Sequence, residues 1–536
     1  MSNGDDTPDT GARAAGRWID RGPWVGVAAG LVLIVVVVAL VAPAISRNGE
    51  FTYPVDDAYI HFAMGENLAD HGVLGINAGE FSSTSSSPIW PLLVAGSIKV
   101  AGPLIGVPLV LAVLSALALL VGLDAWALRR GFPLGQRAMF MASLLLIVPV
   151  TVLTLTGMEH VLQAGASFLL LWLAVAAATR PDSSRLTMLG LAVASMFCVS
   201  TRFEGLFVVA ASIVILMWTR RWVAALAVAV GGALPALVVA LVNIGQGWPP
   251  LPASVAAKTT ADSSGISRYL PEPDLYQWLR TPRLLAVFLL TLIVLVVGRR
   301  AMQAQWPARN TLFSAGVLAI GVLHLLFAKT GFFYRYEGYL LVLGLGATAL
   351  GLHTLAAAGK LRSTSLVFRV GIVALLALAA VDGARIHTKA VAGMDEIHQQ
   401  QMQMARFAAT ACDGCRVAVN DIGAVAVYGD GSVMDVFGLA NRAVLEQKLD
   451  RTYDTEAVGR IARDEGVALA MVYPPAEFSM IPGIPDGWER LGRWRIPSNQ
   501  VVGQPMVDFY SVDPERTAEL QRAWDAFDPD GAEKEP

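Results

Sequence analysis

Charge is scarce in this chain. Only 15% of its 536 residues are Asp, Glu, Lys or Arg, where a soluble globular protein carries about a quarter. Three cysteines exclude a disulfide scaffold and any multi-cysteine zinc or iron–sulfur array. A formal net charge of -3 removes the case for nucleic-acid binding by bulk electrostatics. The 50 glycines and 28 prolines are too few and too scattered for a collagen or low-complexity chain. A cleavable signal peptide is missing as well: residues 1–22 are polar and hold no apolar run, so they read as a disordered tail. What abounds is apolar surface, at 55% of residues and a mean hydropathy of +0.54. The chain reads as a polytopic α-helical membrane protein.

The first apolar stretch, Trp24 to Ile45, is long enough to span a bilayer. Further spans are expected at 103–127, 138–157, 160–178, 186–201, 205–219, 222–243, 284–298, 311–328, 338–357 and 367–385, giving about eleven transmembrane helices. The segment 88–102 is short for a span, contains Lys99 and suits a re-entrant or interfacial helix. On that reading sixteen basic residues fall on one side, among them Arg13, Arg17 and Arg21 of the tail and Arg129, Arg130, Arg180, Arg299, Arg300 and Arg309 of short loops. The positive-inside rule then places the N-terminus in the cytoplasm and the C-terminal region outside. After Ile386 the composition shifts. Residues 395–536 alternate short apolar runs (Val417–Val419, Ala468–Val472, Phe509–Val512) with helical patterns near 396–410 and 454–465, the signature of an extracytoplasmic α/β domain. The expected organisation is a cytoplasmic tail over 1–22, a transmembrane domain over 23–394 with outer loops at 47–102 and 244–283, and the α/β domain over 395–536 of a bacterial plasma-membrane protein.

Ionisable residues beside membrane spans are costly and so mark functional candidates. On the charge-derived topology Asp56, Asp57, His61, Glu159, Arg202, Glu204, Lys258, Arg335, Tyr336 and Glu337 all lie at the outer face. One outward-facing polar pocket is the economical reading. Singly, each has a blander role. Arg202 with Glu204, or Arg335 with Glu337, suits neutralising neighbours at helix ends; Glu159 suits a pair with His160. Asp56 and Asp57 suit capping of the following helix, and Lys258 suits lipid headgroups. His324 and His353 read as locally paired, Ser82–Ser87 as a flexible loop with hydroxyls for a sugar, and Cys198 as core packing. The spacing of Cys412 and Cys415 favours a local structural disulfide. His61 one turn beyond Asp57 lacks a clear third partner for a zinc site.

These residues sit in segments that resemble a known family. DDAYIHFAMGENLADHGVLGINAGE, followed by SSTSSSPIWPLL, resembles the first outer loop of GT-C membrane glycosyltransferases, particularly the arabinofuranosyltransferase B-like branch. The likeness continues in order through TGMEHVLQ, STRFEGLFV, LPASVAAKT, FFYRYEGYLLV, NDIGAVAVYGD and VMDVFGLAN, from residue 54 to about 442. Phe203 stands where the family commonly has Pro, and LPASVAAKT lacks the Asn that often follows Pro; neither change removes a charge.

The resemblance implies a GT-C fold and an inverting transferase using a polyprenyl-phosphate sugar, with arabinofuranose the best guess and mannose behind it. The acceptor would be a glycan, lipid or protein. Asp56 is expected as the base that deprotonates the acceptor hydroxyl, with Asp57 supporting it; Lys258, Arg202 and Arg335 would hold the donor phosphate. Glu159, Glu204, Tyr336 and His61 would position substrate. No tightly held metal is expected, although two adjacent carboxylates facing a phosphate would suit a divalent ion. A secondary transporter and a membrane scaffold with an outer binding domain are the rivals. Against a transporter, no repeated halves are visible; a scaffold leaves Asp56, Asp57 and Glu159 unexplained.

Overall fold

Long apolar runs form the scaffold. The computed structural model describes residues 22–180, 184–256, 281–475 and 481–535. Among these, eight helices are long and apolar enough to cross a membrane: α1 (Trp24–Asn48), α4 (Val107–Arg129), α7 (His160–Thr179), α10 (Trp222–Gly245), α12 (Pro282–Met302), α13 (Ala308–Phe327), α14 (Gly338–Ala357) and α15 (Leu366–Ile397). Helix α1 turns Leu31, Val35 and Val38 outward and buries Leu33 and Val37, as expected of a helix whose outer face meets lipid. Gly26 lets it approach α4 closely, since a Cβ there would lie 2.6 Å from the Leu120 carbonyl oxygen.

The expected count of eleven is not reached by this measure. Span 138–157 is broken into α5 (Leu134–Leu146) and α6 (Val150–Leu155), because Pro149 lacks an N–H and biases Val148 away from helical backbone. Helices α8 (Arg185–Thr201) and α9 (Gly205–Trp218) have 17 and 14 residues, roughly 26 and 21 Å at 1.5 Å per residue against a hydrocarbon core of about 30 Å. The first outer loop holds two helices, α2 (Asp57–His71) and α3 (Trp90–Ala101). With 12 residues, α3 is too short to cross, as expected for 88–102.

Helix α15 runs unbroken past the expected domain boundary at 395. A π-helical turn at His398–Met402 joins it to α16 (Gln403–Ala411). Beyond it lies a six-stranded sheet in the order β2-β1-β3-β5-β4-β6. The strands are β1 (Arg416–Val419), β2 (Ser432–Asp435), β3 (Val467–Val472), β4 (Glu489–Arg495), β5 (Met506–Ser511) and β6 (Glu533–Glu535). β1 pairs parallel with β2 and β3, while β5 is antiparallel to β3 and β4. All of β3 is buried, as a central strand covered on both faces should be. The helices α17 (Gly423–Tyr428), α18 (Arg442–Asp450), α19 (Thr455–Asp464) and α20 (Thr517–Ala526) complete the domain. Cys412 and Cys415 are disulfide-bonded, and Cys198 is buried.

The sheet docks on the first outer loop. Asn77 exchanges two hydrogen bonds with the Val433 backbone, donating to its carbonyl at 2.9 Å and accepting from its amide at 2.8 Å. Asn77 thereby acts as a one-residue extension of the sheet edge at β2. Asn67 holds this loop closed by donating to the carbonyls of Gly75 and Asn77 and accepting from Gly79.

Candidate functional site

Six separate segments bring side chains to one end of the bundle, five of them polar. The start of α2 contributes Asp57 and His61, and the serine-rich segment 82–87 contributes Thr84, Ser85 and Ser86. Met158 comes from the α6–α7 turn and Arg202 from the turn between α8 and α9. Ser254 lies on the short helix α11 (Ala253–Ala256), and Arg335 and Tyr336 precede α14. Leu439, from the turn after β2, closes the cleft from the α/β domain. The cleft is narrow, with ≈ 40 Å³ of free space.

Asp57 is the carboxylate on this cleft. Its side chain is 38% exposed, and its Oδ2 accepts from Arg335 Nη1 at 2.7 Å. Arg335 also donates to the Tyr336 hydroxyl at 3.1 Å and lies 4.6 Å from the centroid of the Phe332 ring. The pair expected between Arg335 and Glu337 does not form; Glu337 accepts instead from the Gly331 amide at 3.0 Å. Arg335 is delivered by an unusual turn in which Phe332, Phe333 and Tyr334 all have positive φ, at 51°, 66° and 60°. Non-glycine residues there cost about 1–3 kcal/mol each. The turn is held by the Tyr334 hydroxyl, which donates to Asp382, and by the Arg283 guanidinium 4.0 Å from the centre of the Tyr334 ring.

Arg202 is clamped by two acids. Its Nη1 donates to Glu159 at 2.6 Å, and its Nε and Nη2 donate to Glu204 at 3.1 and 2.9 Å. Glu159 therefore pairs with Arg202 rather than with His160, and both partners are buried. A guanidinium has five N–H groups; three are used here, and Arg202 lines the cleft. His61 Nε2 lies 3.0 Å from the Ser85 hydroxyl and its Nδ1 lies 3.9 Å from Glu159. Burial lowers the His61 pKa below its ordinary value, so the ring is neutral at physiological pH.

Asp56, expected as the base, does not line the cleft. Its carboxylate accepts from the amides of Gly423 and Ala424 at 2.6 and 2.8 Å. Asp56 occupies the N-cap position of α2 but makes no side-chain cap to it; it binds the first turn of α17 instead. Burial and the nearby Asp421 carboxyl push its pKa up to about 8, against the opposing pull of the two amides. Asp421 is raised by burial too, while accepting from Gln401 at 2.8 Å and from the Tyr473 hydroxyl. The doublet Asp56–Asp57 thus does not face the cleft as a pair of carboxylates. Among the described residues no cluster of three or more metal-binding side chains is found.

Lys258 lies outside the described residues. Ser82–Ser87 is not a flexible loop, since Ser82, Ser83, Thr84 and Ser87 are buried and Ser82 and Thr84 hydroxyls bond at 2.9 Å. His324 and His353 are locally paired, with Tyr339 at 3.2 Å and Gln136 at 2.8 Å. Sequence reasoning missed Met158, Ser254 and Leu439 as lining residues. For Leu439 a signal exists in VMDVFGLAN: Asp435 accepts from the amides of Phe437, Leu439 and Ala440 at 2.7, 2.5 and 2.7 Å. That tight turn presents the Leu439 side chain to the cleft.

With this geometry in view, comparison with known proteins is informative about fold. Residues 395–510 match a family model described as a domain of unknown function, DUF8728. No curated protein matches the chain. The crystal structure of ArnT from Cupriavidus metallidurans in the apo state is similar with a TM-score of 0.52 at 15% identity, covering 94% of this chain and 99% of that one. The same protein bound to undecaprenyl phosphate gives a TM-score of 0.52 at 13% identity, covering 91% and 98%. The arabinofuranosyltransferase AftD from Mycobacteria is more distant, with a TM-score of 0.46 at 16% identity over 90% of this chain and 41% of that one. The protein is a multi-pass membrane protein of the GT-C fold type with a C-terminal α/β domain.

Proposed function

We propose that this protein is an inverting glycosyltransferase that moves a sugar from a polyprenyl-phosphate donor to a hydroxyl acceptor. The observation that carries the reading is the placement of one accessible carboxylate, Asp57, beside two guanidinium groups, Arg335 and Arg202, in a cleft at the end of an apolar bundle. A lipid-linked phosphate needs an apolar path for its tail and cations for its head. The ArnT structure of the same fold type was solved with undecaprenyl phosphate. Arabinofuranose as the sugar rests on the sequence resemblance alone, with mannose next.

The roles divide as follows. Asp57, rather than Asp56, takes the proton from the acceptor hydroxyl as its oxygen attacks the anomeric carbon. The bond from that carbon to the phosphate oxygen breaks, and polyprenyl phosphate leaves with the electron pair. One displacement inverts the anomeric centre. A positioned base contributes about 10²- to 10⁴-fold; Arg335 and Arg202 meet the charge that develops on the phosphate, with Lys258 assigned to the same task. Tyr336, His61 and Ser85 present hydrogen-bonding groups to the sugars. Glu159 and Glu204 act by holding Arg202 in place. No tightly bound metal is assigned, and chelators should leave turnover unchanged. The cleft and the α/β domain are assigned to the extracytoplasmic face of a bacterial plasma membrane by the basic loops at the opposite end, a side on which the Cys412–Cys415 disulfide persists.

The test is incubation of purified protein with decaprenyl-phosphoryl-arabinose and acceptor candidates, reading release of decaprenyl phosphate, and then the same with the mannose donor. Release that requires Asp57 supports the reading. Silence across donors and acceptors, with movement of solute across proteoliposomes instead, would assign the protein to the transporters.

A further inference from the structure

A long groove on the bundle opens toward the end opposite the Asp57 cleft. It runs between α4 and α7, from Ser115 to Arg130 on one helix and from Val161 to Arg180 on the other, and has a volume of ≈ 570 Å³. Small residues, Gly122 and Gly165, open it; Leu119, Leu169 and Trp172 line it; Arg129, Arg130 and Arg180 stand at its mouth. From Ser115 to Arg129 the groove follows α4 for roughly 21 Å, more than the ~15 Å that an acyl chain spans within one leaflet.

The arginines at the mouth are left with charge to spare. Among the described residues no carboxylate lies within ion-pair distance of Arg129, Arg130, Arg180 or the adjacent Arg309. The one buried acid of that end, Asp124, is committed to Arg137 at 2.6 Å and to the Gly26 amide at 2.8 Å. The Arg130 and Arg309 guanidinium groups lie 4.8 and 5.7 Å from the Trp172 ring, and the Nε of each is buried without a hydrogen-bond partner. An apolar trough ending in unneutralised guanidinium groups is complementary to a ligand with a hydrocarbon tail and a phosphate head.

We propose that this groove binds an anionic phospholipid from the leaflet opposite the Asp57 cleft, with the phosphate on Arg129, Arg130 and Arg180 and one acyl chain along Gly122 and Gly165. Arginine clusters of this kind at membrane depth attract anionic headgroups. The arginine mouth is separate from the proposed transfer chemistry: α7 begins at His160 beside the cleft and reaches the arginine end at Thr179, roughly 29 Å away along the helix.

The full-length protein, delipidated in detergent, is titrated with phosphatidylglycerol or with phosphatidylcholine of the same acyl chains and read by native mass spectrometry. Phosphatidylglycerol should bind at least about tenfold more tightly, and Arg129→Gln with Arg130→Gln should weaken it by about tenfold or more. Gly122→Leu keeps the charges but fills the groove; a Cβ there meets nothing within 4 Å, so the variant should keep wild-type thermal stability while losing the lipid. Equal affinity for both lipids, undiminished binding to Gly122→Leu, displacement by millimolar inorganic phosphate, or displacement by polyprenyl phosphate would each overturn the proposal.

Discussion

Asp57→Asn keeps the size of the side chain and its place beside Arg335 but removes its capacity to take a proton. If Asp57 is the base, kcat should fall by about 10²- to 10⁴-fold, or about 3–5 kcal/mol on the barrier. The same change deletes a negative charge that lies 2.7 Å from the Arg335 guanidinium. A donor phosphate at about 6 Å would then be spared a repulsion of up to about 3 kcal/mol at an effective dielectric constant near 20. KM for the donor should therefore fall while kcat collapses, a combination that misfolding does not produce. Asp56→Asn should behave differently. It keeps one acceptor for the Gly423 and Ala424 amides and points an NH2 at the other, costing about 1–3 kcal/mol of stability. The assay measures kcat and KM for polyprenyl phosphate release together with thermal unfolding of each variant. An Asp57→Asn protein within threefold of wild-type kcat would refute the assignment, above all if Asp56→Asn abolished turnover without loss of stability.

Three further outcomes are expected. Arg202→Ala leaves Glu159 as an unpaired buried acid beside the half-buried Glu204 and should destabilise the protein by about 3–5 kcal/mol; a loss below about 1 kcal/mol in thermal or denaturant unfolding would contradict the clamp. Gly423→Ala would place a Cβ 2.2 Å from the Asp56 carbonyl oxygen and 2.8 Å from its Oδ2. It should cost about 1–3 kcal/mol through overpacking and reduce turnover, so unchanged melting and activity would deny that Asp56 couples the two domains. The folded-state pKa of Asp56, about 8, lies above its ordinary value of 3.8, so its contribution to stability is complete below about pH 4 and is lost as pH rises through 8. Wild-type stability should fall between pH 5 and 8 by at most about 1.4 kcal/mol per pH unit from this group, and Asp56→Asn should flatten that slope; parallel pH curves would refute the assignment.

Much of this architecture is legible in the sequence because burial in lipid leaves a crude signal. Runs such as Trp24–Ile45 need no periodicity to be recognised, and β3 is visible because a strand covered on both faces is apolar throughout. β4 is not visible: Glu489, Arg490, Arg493 and Arg495 make it polar, and its place in the sheet comes from pairing with β5. The break at Pro149 is hidden inside an apolar stretch whose hydropathy does not change. For the site, the rule that ionisable residues beside spans mark function gathers Asp57, His61, Arg202, Arg335 and Tyr336 into one cleft. It cannot tell Asp56 from Asp57, because one residue along a turn exchanges a cleft for the first turn of a helix 367 positions away. Local spacing likewise suggests Arg335 with Glu337, whereas the actual partner, Asp57, lies 278 positions distant.

The continuous helical run Leu366–Ala411 has 46 residues, about 69 Å of shaft at 1.5 Å per residue. It begins at the arginine-bearing end of the bundle and finishes in the α/β domain that supplies Leu439 and the Gly423 and Ala424 amides. A shaft of this kind sets angle as well as distance. One added residue would swing everything beyond it by about 100° and lift it by about 1.5 Å, carrying Leu439 off the cleft and Gly423 off Asp56 together. The π-helical turn at His398–Met402 already spends one such increment, and it is there that Gln401 is aimed at Asp421. The residue count of this shaft is thereby locked to the shape of the cleft.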